Sequence, residues 1–365
     1  MGEEKPDLEH ALRMRRLLYG HLVSRALCSI AALRIPDLIG DGTRSAAELA
    51  EETATNVASL RQTLRALATF DVFVEHPDGT FGLTPLGASL RSGSPASAWP
   101  TAMLVGNEIG QAWNQYDVTL RTGNTAFSEA FGTDFFSYVD LKPDTRAIFD
   151  LSQAAGLALD LDRIVAGLDL SGYRTIVDVG GGDGALLEHL LRSRPDARGI
   201  VLELPRVAAK ARQRMHAAGL AERCEIRAGN FFGRIPGGGD LYLLRQILHD
   251  WDDEHCVRLL RTCRAAMPPE ATLLIIELFA EERALAGPAG EMTAIMDLYM
   301  LSIFDGKERT RGEFARLLEA AGYAVTGVTP LGERLGAITA IPTGEAHPQA
   351  APSAKEYVPD ARGRR

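Results

Sequence analysis

His249 closes an apolar run over residues 240–248 and opens the acidic segment Asp250-Trp251-Asp252-Asp253. If that run is a strand of a parallel sheet, His249 stands at its carboxyl end, where ligands of such sheets bind. A histidine there can take a proton. With an ordinary pKa of about 6.5 it is suited to act as general base on a hydroxyl such as a phenol, whose own pKa of about 10 leaves the anion scarce at neutral pH. Two further acids, Glu277 and Glu308, fall near strand or loop ends. A carboxylate beside an imidazole fixes its tautomer and raises its basicity. Spacing alone does not select these two from ordinary surface acids.

A second constellation lies upstream. An apolar strand ends in Asp178-Val179-Gly180-Gly181-Gly182-Asp183-Gly184, and Glu203 follows at the end of the next strand. Glycines after a first strand let the backbone turn sharply and let a ligand come close. An acid roughly 20 residues further on can accept both hydroxyls of a ribose. The dinucleotide pattern G-x-G-x-x-G is not met, because Ala185 stands where its last glycine belongs. Asp178 would also repel a diphosphate. It suits a positively charged ligand, and S-adenosylmethionine carries a sulfonium, an ammonium, a ribose and no phosphate. The competing reading is that the glycines only make a tight turn.

These groups need a frame. Apolar strands over 175–179, 199–204, 224–228, 240–248 and 272–278 alternate with amphipathic helices, which predicts a doubly wound parallel sheet with helices on both faces. The preceding half is mostly helical. Apolar residues recur at helical spacing from 8 to 33 (Leu17, Leu18, Leu22, Ala26, Leu27, Ile30), and Pro36 is expected to stop that helix. It is read equally well as a core helix or as a dimer arm. Ser45 and Glu48 form a capping box, Asn56 can cap the next helix, and Pro77-Asp78-Gly79 between two apolar runs signals a hairpin. Helices followed by a hairpin make a winged-helix pattern. DNA binding would need more positive charge than Arg61 and Arg65 supply.

Composition fits an ordinary globular chain: 365 residues, 46% hydrophobic, 24% charged, formal net charge -9. The acidic balance disfavours nucleic acid as a partner. Four scattered cysteines show no metal or disulfide spacing and are read as reduced thiols in a cytoplasmic protein, and the histidines form no metal cluster, so no metal is expected. No stretch is long and apolar enough for a membrane helix, so no membrane partner is expected. The first eight residues hold no secretory h-region.

Taken together and in order, the motifs Val177–Gly184, Leu202-Glu203-Leu204-Pro205, Ala228-Gly229-Asn230-Phe231-Phe232, Leu248–Asp253, Met296-Asp297-Leu298-Tyr299-Met300-Leu301 and Gly306-Lys307-Glu308-Arg309-Thr310 resemble the S-adenosylmethionine-dependent O-methyltransferases typified by plant caffeic acid and flavonoid enzymes and by bacterial natural-product tailoring enzymes. The resemblance spans about residues 10 to 342. It implies a Rossmann-like α/β methyltransferase sheet behind an N-terminal, mostly helical, winged-helix-like dimerisation domain, and a homodimer. His249 would be the base, with Glu277 and Glu308 flanking its ring. Asp178, Gly180 and Gly182 would line the methionine end of the cofactor and Glu203 would hold the ribose. Asn230 and Phe231 would hold the adenine, with Trp251 against it. Arg245 would sit where plant relatives carry a lysine. Phe149, Gln153, Tyr299 and Met300 would face a small aromatic acceptor.

Some positions depart from the pattern. Asn230 replaces the usual aspartate, and its amide can still accept from the adenine amino group. Gln153 replaces a common methionine, which suggests a more polar acceptor. The expected layout is a dimerisation domain over 1–100, a helical bridge over 101–168, a catalytic domain over 169–342 and a disordered tail over 343–365. Two alternatives remain: a relative turned to hydroxylation or decarboxylation, against which His249 and both glutamates argue, and a winged-helix regulator that senses a metabolite.

Overall fold

The computed structural model describes residues 8–284 and 286–344; the tail expected from 343 lies, beyond Gly344, outside them, as does the start of the chain. Two compact units form. One comprises Met1–Gln111 with Val139–Ala158, the other Ala112–Tyr138 with Leu159–Arg365.

In the first unit, helices Leu8–Leu18 and Gly20–Ala32 replace the single long helix expected over 8–33. The break falls at Tyr19, just before Gly20, whose backbone freedom weakens helix there. Pro36 does not stop the helix. It lies in the first turn of a further short helix, Ile35–Ile39, where a proline lacks no needed hydrogen bond. The stop comes earlier, at Arg34, which adopts left-handed φ 58°. The Ser45–Glu48 capping box and the Asn56 cap form as expected. Strand β1 (Thr43–Ser45), which the sequence did not suggest, pairs with β3 (Thr80–Leu83), and β3 pairs with β2 (Phe73–Glu75) across the expected hairpin. Leu49, Leu64, Leu67, Phe73 and Phe81 make the core of this unit.

The second unit is built on one large sheet. Its parallel strands are β4 (Thr175–Val179), β5 (Arg198–Glu203), β6 (Cys224–Ala228), β7 (Leu241–Arg245) and β8 (Thr272–Ala280). A short β9 (Arg309–Thr310) runs parallel to the end of β8, with Phe279 opposite Arg309. Two strands missed in the sequence, β10 (Tyr323–Pro330) and β11 (Leu335–Pro342), add an antiparallel edge, giving the order β10-β11-β8-β7-β4-β5-β6. The central strands are buried on both faces, as a sheet covered by helices requires. One strand ends sooner than its hydrophobicity suggested. The run 240–248 is strand only to Arg245; Gln246 turns at φ 49°, and Leu248–Asp250 coil into a 3₁₀ turn. Leu248 is nonetheless buried, because the turn packs it into the core. Among the described residues no helix is long and apolar enough to cross a membrane.

Candidate active site

The 3₁₀ turn aims His249 into a pocket of acids. Its ring is buried, with Nδ1 3.0 Å from Glu308 Oε1 and 3.7 Å from Glu277 Oε2, while Nε2 lies 3.5 Å from Asp250 Oδ1. Glu277 extends from β8 and is fully buried. Its Oε1 accepts from the Ile247 and Leu248 N–H groups at 3.0 and 2.8 Å, so the kink at Gln246 creates the donors that hold it. Glu308 immediately precedes β9, and its own N–H donates to Asp297 at 2.9 Å. A carboxylate oxygen accepts, so the Nδ1 proton points at Glu308, and in the neutral ring the lone pair falls on Nε2.

Burial opposes charge on the ring, but the carboxylates of Glu277, Asp250 and Glu308 outweigh it and push the imidazole up to about 10. Burial lifts Glu277 to about 7 and Asp250 to about 6, in both cases against the pull of the adjacent imidazolium. His249 is thus the most basic member of the cluster. The three side chains could also enclose a metal ion.

The glycine turn lies beside this turn on the same sheet edge. Gly180 and Gly182 adopt φ 73° and 59°, open to glycine and strained for other residues. A Cβ on Gly180 would press on Ile247 and approach Phe231. Glu203 closes the turn, accepting from Gly182 N at 3.1 Å and Leu204 N at 2.7 Å. Beneath it Asp178 is buried, raised to about 7 by burial and by the neighbouring Glu203 charge, and its Oδ2 has no hydrogen-bond partner. Arg245, at the end of β7, is in the same condition. Its Nε and Nη2 are buried without hydrogen bonds, with the Asp160 carboxylate 3.7 Å away. Buried groups of opposite sign thus stand near one another with atoms that make no hydrogen bond.

The other expected residues are distributed as follows. Trp251 packs edge-on against Phe231 and Phe232, at 6.2 and 4.7 Å between ring centres. Asn230 caps the turn after β6 through Phe232 N, at 2.9 Å. Tyr299 and Met300 lie on the helix Pro288–Ile303, with Met300 buried and the Tyr299 hydroxyl pushed up by burial and by the Asp250 charge. Phe149 and Gln153 lie in the first unit, Phe149 buried and Gln153 exposed.

Sequence reasoning missed several participants. Asp250 beside His249 and Arg309 beside Glu308 were in quoted motifs, so adjacency was an available signal. Asp297 and Asp160 carried none. Nor did the aromatic group Phe135, Phe136 and Phe304, in which Phe136 stacks toward Trp251 at 6.2 Å and Phe304 meets Tyr299 at 5.7 Å.

This arrangement places a glycine turn over buried charged groups beside a buried imidazole oriented by carboxylates, a geometry that suits a group-transfer enzyme. Residues 113–324 match the O-methyltransferase domain model and residues 15–92 the O-methyltransferase dimerisation domain. The O-methyltransferase SfmM3 of Streptomyces lavendulae is 44% identical over 331 residues, 90% of this chain and 99% of its own. The solved structure of the mitomycin 7-O-methyltransferase MmcR matches with TM-score 0.86 at 36% identity, over 92% of this chain and 98% of that one. The O-methyltransferase NcsB1 of neocarzinostatin biosynthesis, solved with S-adenosylmethionine and 2-hydroxy-5-methyl naphthoic acid, matches with TM-score 0.76 at 32% identity, over 87% and 95%. The chain belongs to the O-methyltransferase family and is an S-adenosylmethionine-dependent methyltransferase whose relatives are bacterial natural-product enzymes.

Proposed function

We propose that this enzyme methylates a hydroxyl group of a small aromatic natural-product or polyketide acceptor, with His249 as general base. The carrying observation is the buried imidazole whose Nδ1 is tied to Glu308, which in the neutral ring puts the lone pair on Nε2, beside Asp250 at 3.5 Å. A nitrogen acceptor with a free lone pair needs no such base; a hydroxyl does.

The cofactor's chemistry suits the residues present. Asp178 offers a carboxylate oxygen without a hydrogen bond to an ammonium, and Arg245 a guanidinium edge without one, beside Asp160, to a carboxylate. Gly180 and Gly182 let the ligand approach the backbone, Glu203 takes the ribose, and Asn230, Phe231 and Trp251 take the adenine. When bound, S-adenosylmethionine supplies an activated methyl group on a sulfonium. The protein's part is to align the acceptor oxygen, exclude water and remove one proton. His249 does the last at Nε2, with Glu308 and Glu277 stabilising the imidazolium that forms. Its raised basicity brings it level with a phenol of pKa about 10, which favours proton transfer. The ring must first be neutral, and its charged form is disfavoured when the donor's cation shares the sheet edge.

The aromatic group of Phe135, Phe136, Phe304 and Tyr299 supports a planar acceptor. Met300, on the same helix as Tyr299, completes the proposed acceptor set within this unit. A homodimer is supported by the dimerisation domain and by Leu8, Leu12, Leu17, Leu18 and Leu22, all more than half exposed on the first two helices.

The test is incubation of the protein with methyl-labelled S-adenosylmethionine and a panel of phenols, naphthoic acids and polyketides, read by mass spectrometry. One labelled methyl on oxygen is expected. Methylation confined to nitrogen, or an acceptor oxidised or decarboxylated without label, would overturn the reading.

A further inference from the structure

Arg309 is a large, fully buried side chain, and its charge is used on one target. Nη1 donates to the Leu248 carbonyl at 2.8 Å and Nη2 to the Trp251 carbonyl at 2.7 Å. Those carbonyls bracket the pair His249–Asp250. Nε and Nη2 also donate to Asp253 Oδ1, at 3.0 and 2.7 Å, just beyond the turn. The guanidinium is itself anchored. Its backbone pairs with Phe279 on β8, two residues past Glu277, and Thr310 caps the next helix through a capping box with Glu313. The preceding residues close on the same turn. Lys307 N–H donates to the His249 carbonyl at 3.0 Å. Gly306 packs so tightly there that a Cβ would collide with the His249 carbonyl oxygen.

We infer that Arg309 is the positioning residue of this site: it grips both ends of the 3₁₀ turn and thereby sets the distance between His249 and Glu308. One rigid planar fork reaching three acceptors suits this task. An ammonium is a point charge that cannot serve all three in their present geometry. Because Glu308 adjoins Arg309 and Glu277 lies on the strand that pairs with it, the same two-residue ladder places the base and both its carboxylates. Without the grip, the turn relaxes outward and the imidazole loses its short contact with Glu308.

The inference deepens the reading of His249 as base but is tested separately, by NMR titration of the His249 ring alongside turnover and S-adenosylhomocysteine binding. The charged groups facing the ring are Glu277 from β8, Glu308 before β9 and Asp250 in its own turn. Arg309→Lys should lower kcat about 10- to 100-fold, the range expected for an orienting group. It should move the ring's titration to lower pH, because the carboxylates lie further off, and leave the S-adenosylhomocysteine dissociation constant within about threefold. In Arg309→Gly, added guanidinium ion should restore part of the lost turnover. A folded Arg309→Lys with wild-type kcat and an unmoved ring titration overturns the inference. So does a joint loss of turnover and product affinity without a titration shift, which marks a merely structural role. If neither Arg309 variant folds, Asp253→Asn carries the test, since that carboxylate is mostly exposed. A shift of the ring titration supports the clamp and an unmoved one overturns it. Retained turnover in His249→Ala would sink the base assignment and leave the clamp to the titration alone.

Discussion

The His249 turn and the glycine turn lie on one sheet edge, yet they are finished to different degrees. Around His249 the turn's main-chain groups are gripped from several sides: Glu277 holds the amides of Ile247 and Leu248, Arg309 the carbonyls of Leu248 and Trp251, and Lys307 the carbonyl of His249. At the glycine turn the backbone is closed by Glu203, but the side chains beneath it are not. Asp178 Oδ2 and two nitrogens of Arg245 are buried without hydrogen bonds; Glu277 Oε2 and Glu308 Oε2 at the His249 turn are too, but there each carboxylate's other oxygen is held, by the Ile247 and Leu248 amides and by His249 Nδ1. Leaving such groups unmade is unfavourable by about 1–3 kcal/mol each. On the proposed reading the difference assigns the tasks: His249 as base is oriented by side chains of the protein itself, so its geometry does not wait for a ligand, and the proposed cofactor end is completed by one, its unmet polarity a source of affinity for a zwitterion.

That contrast breaks first under His249→Ala. Turnover should fall about 10²–10⁴-fold, the usual contribution of a positioned base, while S-adenosylhomocysteine binds with unchanged affinity. Steady-state kinetics beside calorimetry reads both. Product affinity falling in step with turnover would mean that the two turns are a single unit. Asp178→Asn is the mirror experiment. Removing a charge–ammonium bond should weaken S-adenosylhomocysteine about 10- to 100-fold. It should also raise the melting temperature of the ligand-free protein, because a buried unpartnered carboxylate is replaced by a neutral amide. A lower melting temperature would show that Asp178 already stabilises the fold and is not held for a ligand.

How much of this could be read in the residues follows the same division. The glycine turn is local: strand, glycines and the acid at Glu203 sit within one βαβ unit, and period and spacing reveal them. The parallel strands were legible as apolar runs, and the capping box and hairpin as turn chemistry. The base site is assembled from three distant segments, 248–250, 277 and 308, and no pattern along the chain predicts that Glu277 and Glu308 meet over one imidazole; only the family resemblance named them. The run 240–248 misled because Leu248 is apolar for reasons of packing in a turn. The left-handed Gln246 that ends the strand has no residue-type signal, since glutamine rarely adopts that conformation. The edge strands β10 and β11 mix small and polar residues along one face and read as neither element. Arg309 shows the limit most plainly. A fully buried arginine is indistinguishable in sequence from a solvated one.

The smallest expected effect sharpens the comparison where the cofactor end meets the base. Asn230 follows β6, and its Oδ1 already accepts from Phe232 N–H, fixing the loop that brings Phe231 toward Gly180 and Trp251. The amide oxygen therefore has one remaining lone pair for the adenine amino group, and its nitrogen is a donor with no use for that partner. A carboxylate would keep the Phe232 bond in a charge-assisted form and offer its second oxygen wholly to the adenine. Asn230→Asp should therefore tighten S-adenosylhomocysteine by about 1 kcal/mol, roughly fivefold in dissociation constant, with kcat unchanged because the substitution lies away from His249. Calorimetry in both proteins decides it. Weaker binding would mean that the added anion, near Glu203 and Asp178 in an already acidic cleft, repels more than its hydrogen bond attracts, and the asparagine would then be a device for limiting negative charge around the cofactor.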